Sequence, residues 1–331
     1  KYVNNTTIWP QKSSKVVKGY RLLKGLVLTI LNLRSIRPKS IVMAGVSSSS
    51  HSLLLRFLII FFSKIYKIRI YQEMSEYPPI QKKKGISKFY KNVHLKLYCQ
   101  LDGMIIMTRE LSKYFNDLGQ PYIFHLPMTV DFKRFDVSLN EAKKSQRFIF
   151  KYCGGGNYQR DGLLNMIEAF ISLSEKIINV EFHIIGPIVK NSNYYETVMK
   201  LIRDKKKQNI IKILGAKKRD EIPFLLAGAH CLIMTPPKKF DSGGFPTKLG
   251  EYLASGIPVI CTRVSEIPLY LDKTSAILVE PKNHNDLVCS MKALVNNYKL
   301  YKEIGDNGKK VAKKYFSVES HTENLIKFLK I

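Results

Sequence analysis

Lys248 and Glu251 stand three residues apart at the entrance of one predicted helix, behind a pair of glycines, in the stretch Asp241–Ile260 (DSGGFPTKLGEYLASGIPVI). Gly243 and Gly244 let the backbone approach a ligand closely. A helix start presents unpaired N–H donors and a partial positive charge, which suit a phosphate. Lys248 adds a full charge. Glu251, one turn further in, disfavours a bare anion but accepts hydrogen bonds from two neighbouring hydroxyls. A ligand carrying both a phosphate and a diol satisfies the two groups at once, and a nucleotide is the common molecule of that kind. The same residues also suit a surface loop with two solvated charges, and their types alone do not choose.

A second glycine cluster, Tyr152–Gly162 (YCGGGNYQRDG), likewise follows a predicted strand and precedes a helix. Gly154 and Gly156 fit the opening of a dinucleotide fingerprint, but Gln159 occupies the third glycine position, and no Walker lysine motif occurs in the chain. What remains is a turn at Gly154 and Gly155 with Arg160 at the helix entrance, either a second anion contact or a plain tight turn. Glu73 and Glu76 (YQEMSEYPP) are the only acids among residues 1–101. In so basic a field they are expected to ionise readily and to pair with Lys or Arg. They read either as structural salt bridges or as groups that position an acceptor hydroxyl and take its proton.

These residues need elements to hold them. Short β-rich runs alternate with longer stretches of helical periodicity, the pattern of βαβ units and parallel sheets. Predicted strands in the first half are Ser40–Val46, Lys67–Glu73, Gly103–Thr108 and Tyr122–Pro127. In the second half they are RFIFKYCG, VEFHIIG, NIIKILG, HCLIMTP, IPVICT and AILVEP. Leu163, Met166, Ile167, Phe170 and Ile171 trace the apolar face of a helix, and Pro246 and Gly256 suit the first turn and the end of the helix behind Gly244. Strands so uniformly apolar are covered on both faces. The serine run Ser47–Ser50 reads as a helix-capping turn. A chain of 331 residues with 45% hydrophobic content suits two cores, here two doubly wound domains with a crevice between them. The polar stretch Asp131–Gln146 fits the boundary, giving domains 1–138 and 139–316 and a final helix over 317–331 that crosses back to the first domain.

The net charge is +28, of which residues 1–101 supply +17 from 19 Lys or Arg against two carboxylates. Such a field attracts a polyanion or an anionic membrane face. Ile80–Tyr98 reads as an amphipathic helix with Ile86, Phe89, Tyr90, Val93 and Leu97 on one face and Lys84, Lys88, Lys91 and Lys96 over the remainder, a fit to an anionic membrane surface. Nucleic-acid binding lacks a recognised module, so no nucleic-acid partner is expected. No apolar run reaches the length of a spanning helix. The five cysteines are scattered singly without metal-ligand or disulfide spacing, which favours reduced thiols in a cytoplasmic protein. The sequence opens on KYVNN without a methionine and without an evident signal peptide, the expectation being a fragment or a processed form.

The ordered series YCGGGNYQRDGLLNMIEAF, VEFHIIGP, IIKILGAKKRDEIPFLLAGAHCLIM and GGFPTKLGEYLASGIPVICT resembles the GT-B glycosyltransferases of the retaining GT4 family, the glycosyl transferases group 1. The resemblance covers most of residues 101–331. It implies an α/β GT-B fold, two Rossmann-like domains with parallel sheets facing across a cleft, and transfer of a sugar from a nucleotide-sugar donor to a glycan or lipid-linked acceptor. Surface polysaccharide or glycolipid synthesis, at the inner face of a cell membrane, is the implied setting. Glu251 matches the family's second E-x7-E glutamate, which binds ribose. Arg160 stands at the lysine of the family's KDG turn, on the diphosphate. Lys248 and the amides of Phe245, Thr247 (beside Pro246) and Lys248 line the donor loop, and Gly215 with Lys217 and Arg219 borders the base. Two departures stand out: the first E-x7-E glutamate is Gly243, with Asp241 or Ser242 as candidate substitutes, and the upstream arginine falls near Gly154 and is absent. The family's N-terminal glycine loop is not evident. No D-x-D occurs, so neither a metal nor a cofactor is expected, and the diphosphate charge falls to Arg160, Lys248 and helix N-termini. No second carboxylate stands as a nucleophile, so no glycosyl-enzyme intermediate is expected. A sugar-nucleotide epimerase of the same fold remains the alternative; a phosphorylase would need a pyridoxal-binding lysine that is not identified.

Overall fold

The computed structural model describes residues 15–44, 50–82, 84–120, 122–136, 146–155, 158–187, 193–238 and 243–330. The chain divides into two compact units. One comprises Lys1–Leu126, Ser242–Gly244 and Thr322–Ile331; the other comprises Pro127–Asp241 and Phe245–His321. Ser47–Ser49 and Asp241 lie outside the described residues.

In the first unit, strands β1 (Ser40–Met43), β2 (Arg69–Met74), β3 (Gly103–Ile106) and β4 (Ile123–His125) form a parallel sheet in chain order. Alternation along the strands sorts their side chains. Ile70, Met74, Met104 and Ile106 meet Ile60 of helix Ser50–Tyr66, Tyr98, and Leu111 and Phe115 of helix Arg109–Asp117. Tyr71 and Ile105 point to the other face, which Leu325, Phe328 and Leu329 of the last helix cover. The Tyr71 hydroxyl donates to the Phe328 carbonyl at 3.2 Å and Arg69 donates to the Lys330 carbonyl at 3.1 Å. The expectation of a doubly wound sheet is therefore corrected for the described strands. Successive right-handed crossovers that always step the same way put every connecting helix on one face, and the C-terminal helix supplies the other.

The helix expected across Ile80–Tyr98 is shorter, Lys88–Lys96, and starts at Ser87, whose hydroxyl accepts from Tyr90 N. It buries His94, and the following turn buries Tyr98 beneath the Arg56 guanidinium. Phe89 is turned outward, 78% exposed, with Lys84, Lys88 and Lys96 also exposed.

The second unit holds β5 (Phe148–Cys153), β6 (Val180–Ile185), β7 (Ile211–Gly215), β8 (Cys231–Met234), β9 (Val259–Thr262) and β10 (Ile277–Val279). They pair in parallel in the order β10-β9-β8-β5-β6-β7. The direction of winding reverses between β5 and β8. In an open α/β sheet the carboxyl ends of the strands at such a reversal are where ligands bind. Both glycine-containing segments singled out in the sequence leave the sheet there, one after β5 and one after β8. Leu163, Met166, Ile167, Phe170 and Ile171 of helix Leu163–Ser174 are buried against Phe150, Tyr152 and Phe182, as their spacing requires.

The division of the chain falls between Leu126 and Pro127, ahead of residue 138. Val130 N donates to the Phe316 carbonyl at 2.7 Å and Val130 bridges Ser317, so this segment is built into the second unit. Among the described residues no helix is long and apolar enough to cross a membrane, and all five cysteines are unpaired thiols.

Candidate functional site

At the end of β5 the chain turns through Gly154 and Gly155 into Arg160-Asp161-Gly162 and the helix Leu163–Ser174. Asp161 is buried, and its Oδ2 accepts from the Tyr152 hydroxyl and pairs with Lys248 Nζ. Thr235, just past β8, donates its N–H to the Asp161 carbonyl at 3.2 Å. The Tyr252 hydroxyl accepts from Cys153 N at 2.6 Å and donates to Cys153 O at 2.9 Å. The turn after β5 and the helix Lys248–Ala254 are thus fastened to each other by buried polar contacts. Burial pushes the Cys153 thiol up to about 11, with the Glu251 charge adding to the effect.

Lys248 is the first residue of its helix, with Thr247 as N-cap. Pro246 therefore sits one residue ahead of the cap, not in the first helical turn; its carbonyl accepts Leu249 N at 3.0 Å. The amides of Phe245, Thr247 and Lys248 have no acceptor among the described residues. The Phe245 ring is a core anchor, 5.7 Å from Tyr270 and 5.9 Å from Phe316. Arg160 is exposed beside this helix start's partner, Asp161, and Thr247 is exposed as well.

Glu251 faces a residue that the sequence reading did not single out. Arg134 Nη1 lies 2.9 Å from Glu251 Oε1, and Arg134 Nη2 donates to the Arg219 carbonyl at 2.9 Å. Glu251 Oε2 has no partner among the described residues, and the Glu251 side chain is 34% exposed. Gly215 ends β7 with φ +70, and Lys217 and Arg219 follow it on the surface. Glu251 and the Gly215–Arg219 turn are thereby linked through one guanidinium.

At both departures from the pattern that the resemblance implies, a side chain would meet close neighbours. A Cβ on Gly154 would lie 1.9 Å from the Tyr152 hydroxyl, the donor to Asp161, so an arginine has no room there. Gly243, grouped with the first unit, has φ +72, and a Cβ would meet the Tyr77 ring at 2.8 Å and Leu111 at 3.0 Å. Its carbonyl accepts from Thr108 Oγ1 at 2.7 Å. The neighbouring Gly244 is buried too.

Glu73 lies in β2 of the first unit, and Glu76 is exposed in the turn after it. Glu73 corrects the expectation of ready ionisation and pairing. It is half-buried, makes no ion pair among the described residues, and burial raises its pKa above the usual carboxylate value. The reason is position: strand residues near the centre of a sheet lose water. Arg134, Asp161, Tyr152 and Tyr252 are what the sequence reading missed. Only Asp161 carried a signal, as an acid next to Arg160 at the foot of a predicted helix.

Comparison with known proteins follows the same lines. The profile of the family described as Glycosyl transferases group 1 matches residues 137–311, more than half of the chain. The uncharacterized glycosyltransferase MJ1178 of Methanocaldococcus jannaschii is 35% identical over 106 residues, 32% of this chain and 29% of that protein. Alr3699/HepE of Anabaena, crystallised in complex with UDP, superposes with a TM-score of 0.75 at 14% identity, covering 92% of this chain and 82% of that one. A glycosyltransferase of Rickettsia africae gives a TM-score of 0.75 at 15% identity, covering 97% and 84%. At such identities the likeness is one of fold, and it matches the α/β architecture with two parallel sheets to the GT-B class. With the family profile spanning β5 to β10 and both glycine-containing turns, the chain belongs to the Glycosyl transferases group 1 family.

Proposed function

We propose that this chain is a retaining glycosyltransferase of the GT4 type that takes its sugar from a nucleoside-diphosphate donor. The observation that carries the reading is the arrangement at the reversal of the second sheet. Lys248 stands at a helix start with the amides of Phe245, Thr247 and Lys248, which have no acceptor among the described residues, and Glu251, whose Oε2 has no partner among the described residues, lies one turn further in. The first set suits a diphosphate and the second a ribose hydroxyl. Arg160 adds charge from the facing turn, and Gly215, Lys217 and Arg219 border the base. HepE structures with UDP and with UDP-glucose, on the same fold, support a donor of this class. In this reading the departing diphosphate is stabilised by charges and donors fixed before the reaction begins.

The acceptor is a glycan or a lipid-linked sugar. Of the two candidates Glu73 and Glu76, Glu73, held less acidic by burial, is the better for taking a proton from its hydroxyl, and Glu76 the better placed for solvent-side contact. The exposed Phe89 among exposed lysines supports a peripheral seat on an anionic membrane, as surface polysaccharide or glycolipid synthesis requires.

A thermal-shift panel of UDP, GDP, ADP, UDP-sugars and GDP-mannose on the wild type and on Glu251→Ala tests the donor site. Stabilisation by one nucleoside diphosphate, lost in the variant, is expected; no response to any of them would sink the reading. Product analysis separates transfer from epimerisation, and the anomeric configuration of the product, read by NMR, tests retention.

A further inference from the structure

We infer that Arg134 is a positioning residue for the nucleoside half of the donor: it fixes Glu251 so that one carboxylate oxygen is offered to the ribose, and it ties that carboxylate to the turn that borders the base. The inference rests on the donor-site reading above and deepens it.

Arg134 stands on rigid support. It lies in the turn Phe132–Phe135, capped by Asp131, whose carboxylate accepts Lys133 N at 3.1 Å, and anchored by the buried Phe135. The preceding Met128 and Val130 press directly on the helix that carries Glu251. A Cβ on Gly250 would lie 2.5 Å from Val130 Cγ2 and 2.9 Å from Met128 Cε. The close approach permitted by Gly250 brings the Arg134 turn within reach of the next residue, Glu251.

The guanidinium then spends its planar fork on two different elements. Nη1 holds Glu251 Oε1 and Nη2 holds the Arg219 carbonyl, each at 2.9 Å, with the Arg134 side chain 18% exposed. A glutamate on a helix surface would otherwise exchange among rotamers, and a ligand would have to select one. With Oε1 engaged, the rotamer is set before the ligand arrives, Oε2 keeps no partner among the described residues, and the base-side turn is held at a fixed distance from it. The pair also cancels the carboxylate charge beside a site meant for an anion, which answers why an acid is tolerated there. Charge-assisted bonds of this kind are the strong ones, and lysine cannot reproduce a fork that spans two acceptors.

The test uses the full chain and isothermal titration with UDP, GDP and ADP, each beside its 2′,3′-dideoxy counterpart, on wild type, Arg134→Gln, Arg134→Lys and Glu251→Gln. Using the diphosphate that binds the wild type best, Arg134→Gln should weaken binding about tenfold, the loss expected of a charge-assisted contact. For the dideoxy analogue, which has no ribose hydroxyls to place, it should weaken binding less than about twofold. Arg134→Lys should recover part of the loss, and adding Arg134→Gln to Glu251→Gln should cost nothing further. Equal weakening of both ligands by Arg134→Gln would mean a merely structural role and overturn the inference, as would unchanged binding of the ribonucleotide while Glu251→Gln loses it. If the wild type binds none of the three diphosphates, the donor-site reading and the inference fall together.

Discussion

Replacing Asp161 by alanine should cost the protein about 3–4 kcal/mol, and the structure says where the cost arises. One oxygen, Asp161 Oδ2, serves both the Tyr152 hydroxyl and the Lys248 ammonium. Tyr152 is fully buried, so its hydroxyl would lose its acceptor without gaining water, a penalty of about 1–3 kcal/mol. Breaking a buried ion pair by removing one partner costs about 3–5 kcal/mol. Lys248 keeps 21% of its side-chain surface, however, and can turn to solvent, which lowers its share to about 1–2 kcal/mol. Tyr152→Phe removes only the hydroxyl and leaves the ion pair, so it should cost about 1 kcal/mol. Added to Asp161→Ala, it should recover part of the loss, because no orphaned hydroxyl then remains. Urea unfolding followed by circular dichroism, with calorimetry to separate the transitions of the two units, measures all three variants. A loss below about 1 kcal/mol for Asp161→Ala, or additive single and double losses, would refute the reasoning that one buried oxygen holds both groups.

Two further outcomes follow from other parts of the molecule. Lys151 is buried in β5, donates to the Leu225 carbonyl at 2.6 Å, and burial lowers its pKa from 10.5 to about 8. Between those values the unfolded chain carries a proton that the folded one lacks. This group therefore makes stability rise as pH rises from about 8 to about 10.5, by up to about 3 kcal/mol, with no slope from it below 8. The difference between wild type and Lys151→Met, in which groups common to both cancel, should show that rise, and a flat difference between pH 7.5 and 10 would exclude it. Gly243→Glu, which restores the family's first glutamate, should lower stability by about 2 kcal/mol or more and raise no activity. Its φ of +72 and the Tyr77 ring leave no place for a side chain; a variant as stable as wild type would contradict this.

The described strands and the order in which they alternate with helices are legible because most are short apolar runs bounded by turn residues, and the helix after Gly162 because its apolar residues recur at helical spacing. The placement of the two glycine-containing turns is legible for the same reason: glycines and charges between a strand and a helix place themselves at a sheet's carboxyl edge. What could not be read is what depends on pairing across distance. Nothing in DFKRF distinguishes Arg134 from the other basic residues of a lysine-rich chain until Gly250 brings the two segments together. Glu73 was misjudged because net charge was used as a stand-in for local environment. Its strand position removes water, and that burial raises its pKa. The winding of the first sheet was misjudged because alternation gives the elements without the direction of each crossover.

At two positions where the resemblance implies a charged residue, this chain carries glycine: Gly154 and Gly243. Where the family's arginine would stand, Tyr152 reaches through the space above Gly154 to Asp161; where its first glutamate would stand, Tyr77 covers Gly243. An aromatic side chain lies close to each glycine, so a side chain placed there would require it to shift. Lys248 and Glu251 are each matched by a partner of opposite sign: Lys248 by Asp161, Glu251 by Arg134. A donor would therefore enter a site whose charges are already in place and already balanced. Its diphosphate would draw on Lys248's remaining donors, Arg160 and the open amides, and its ribose on the single open oxygen of Glu251. Selectivity would come from where those few groups point, which is why the residues that hold Lys248 and Glu251 matter as much to the site as Lys248 and Glu251 themselves.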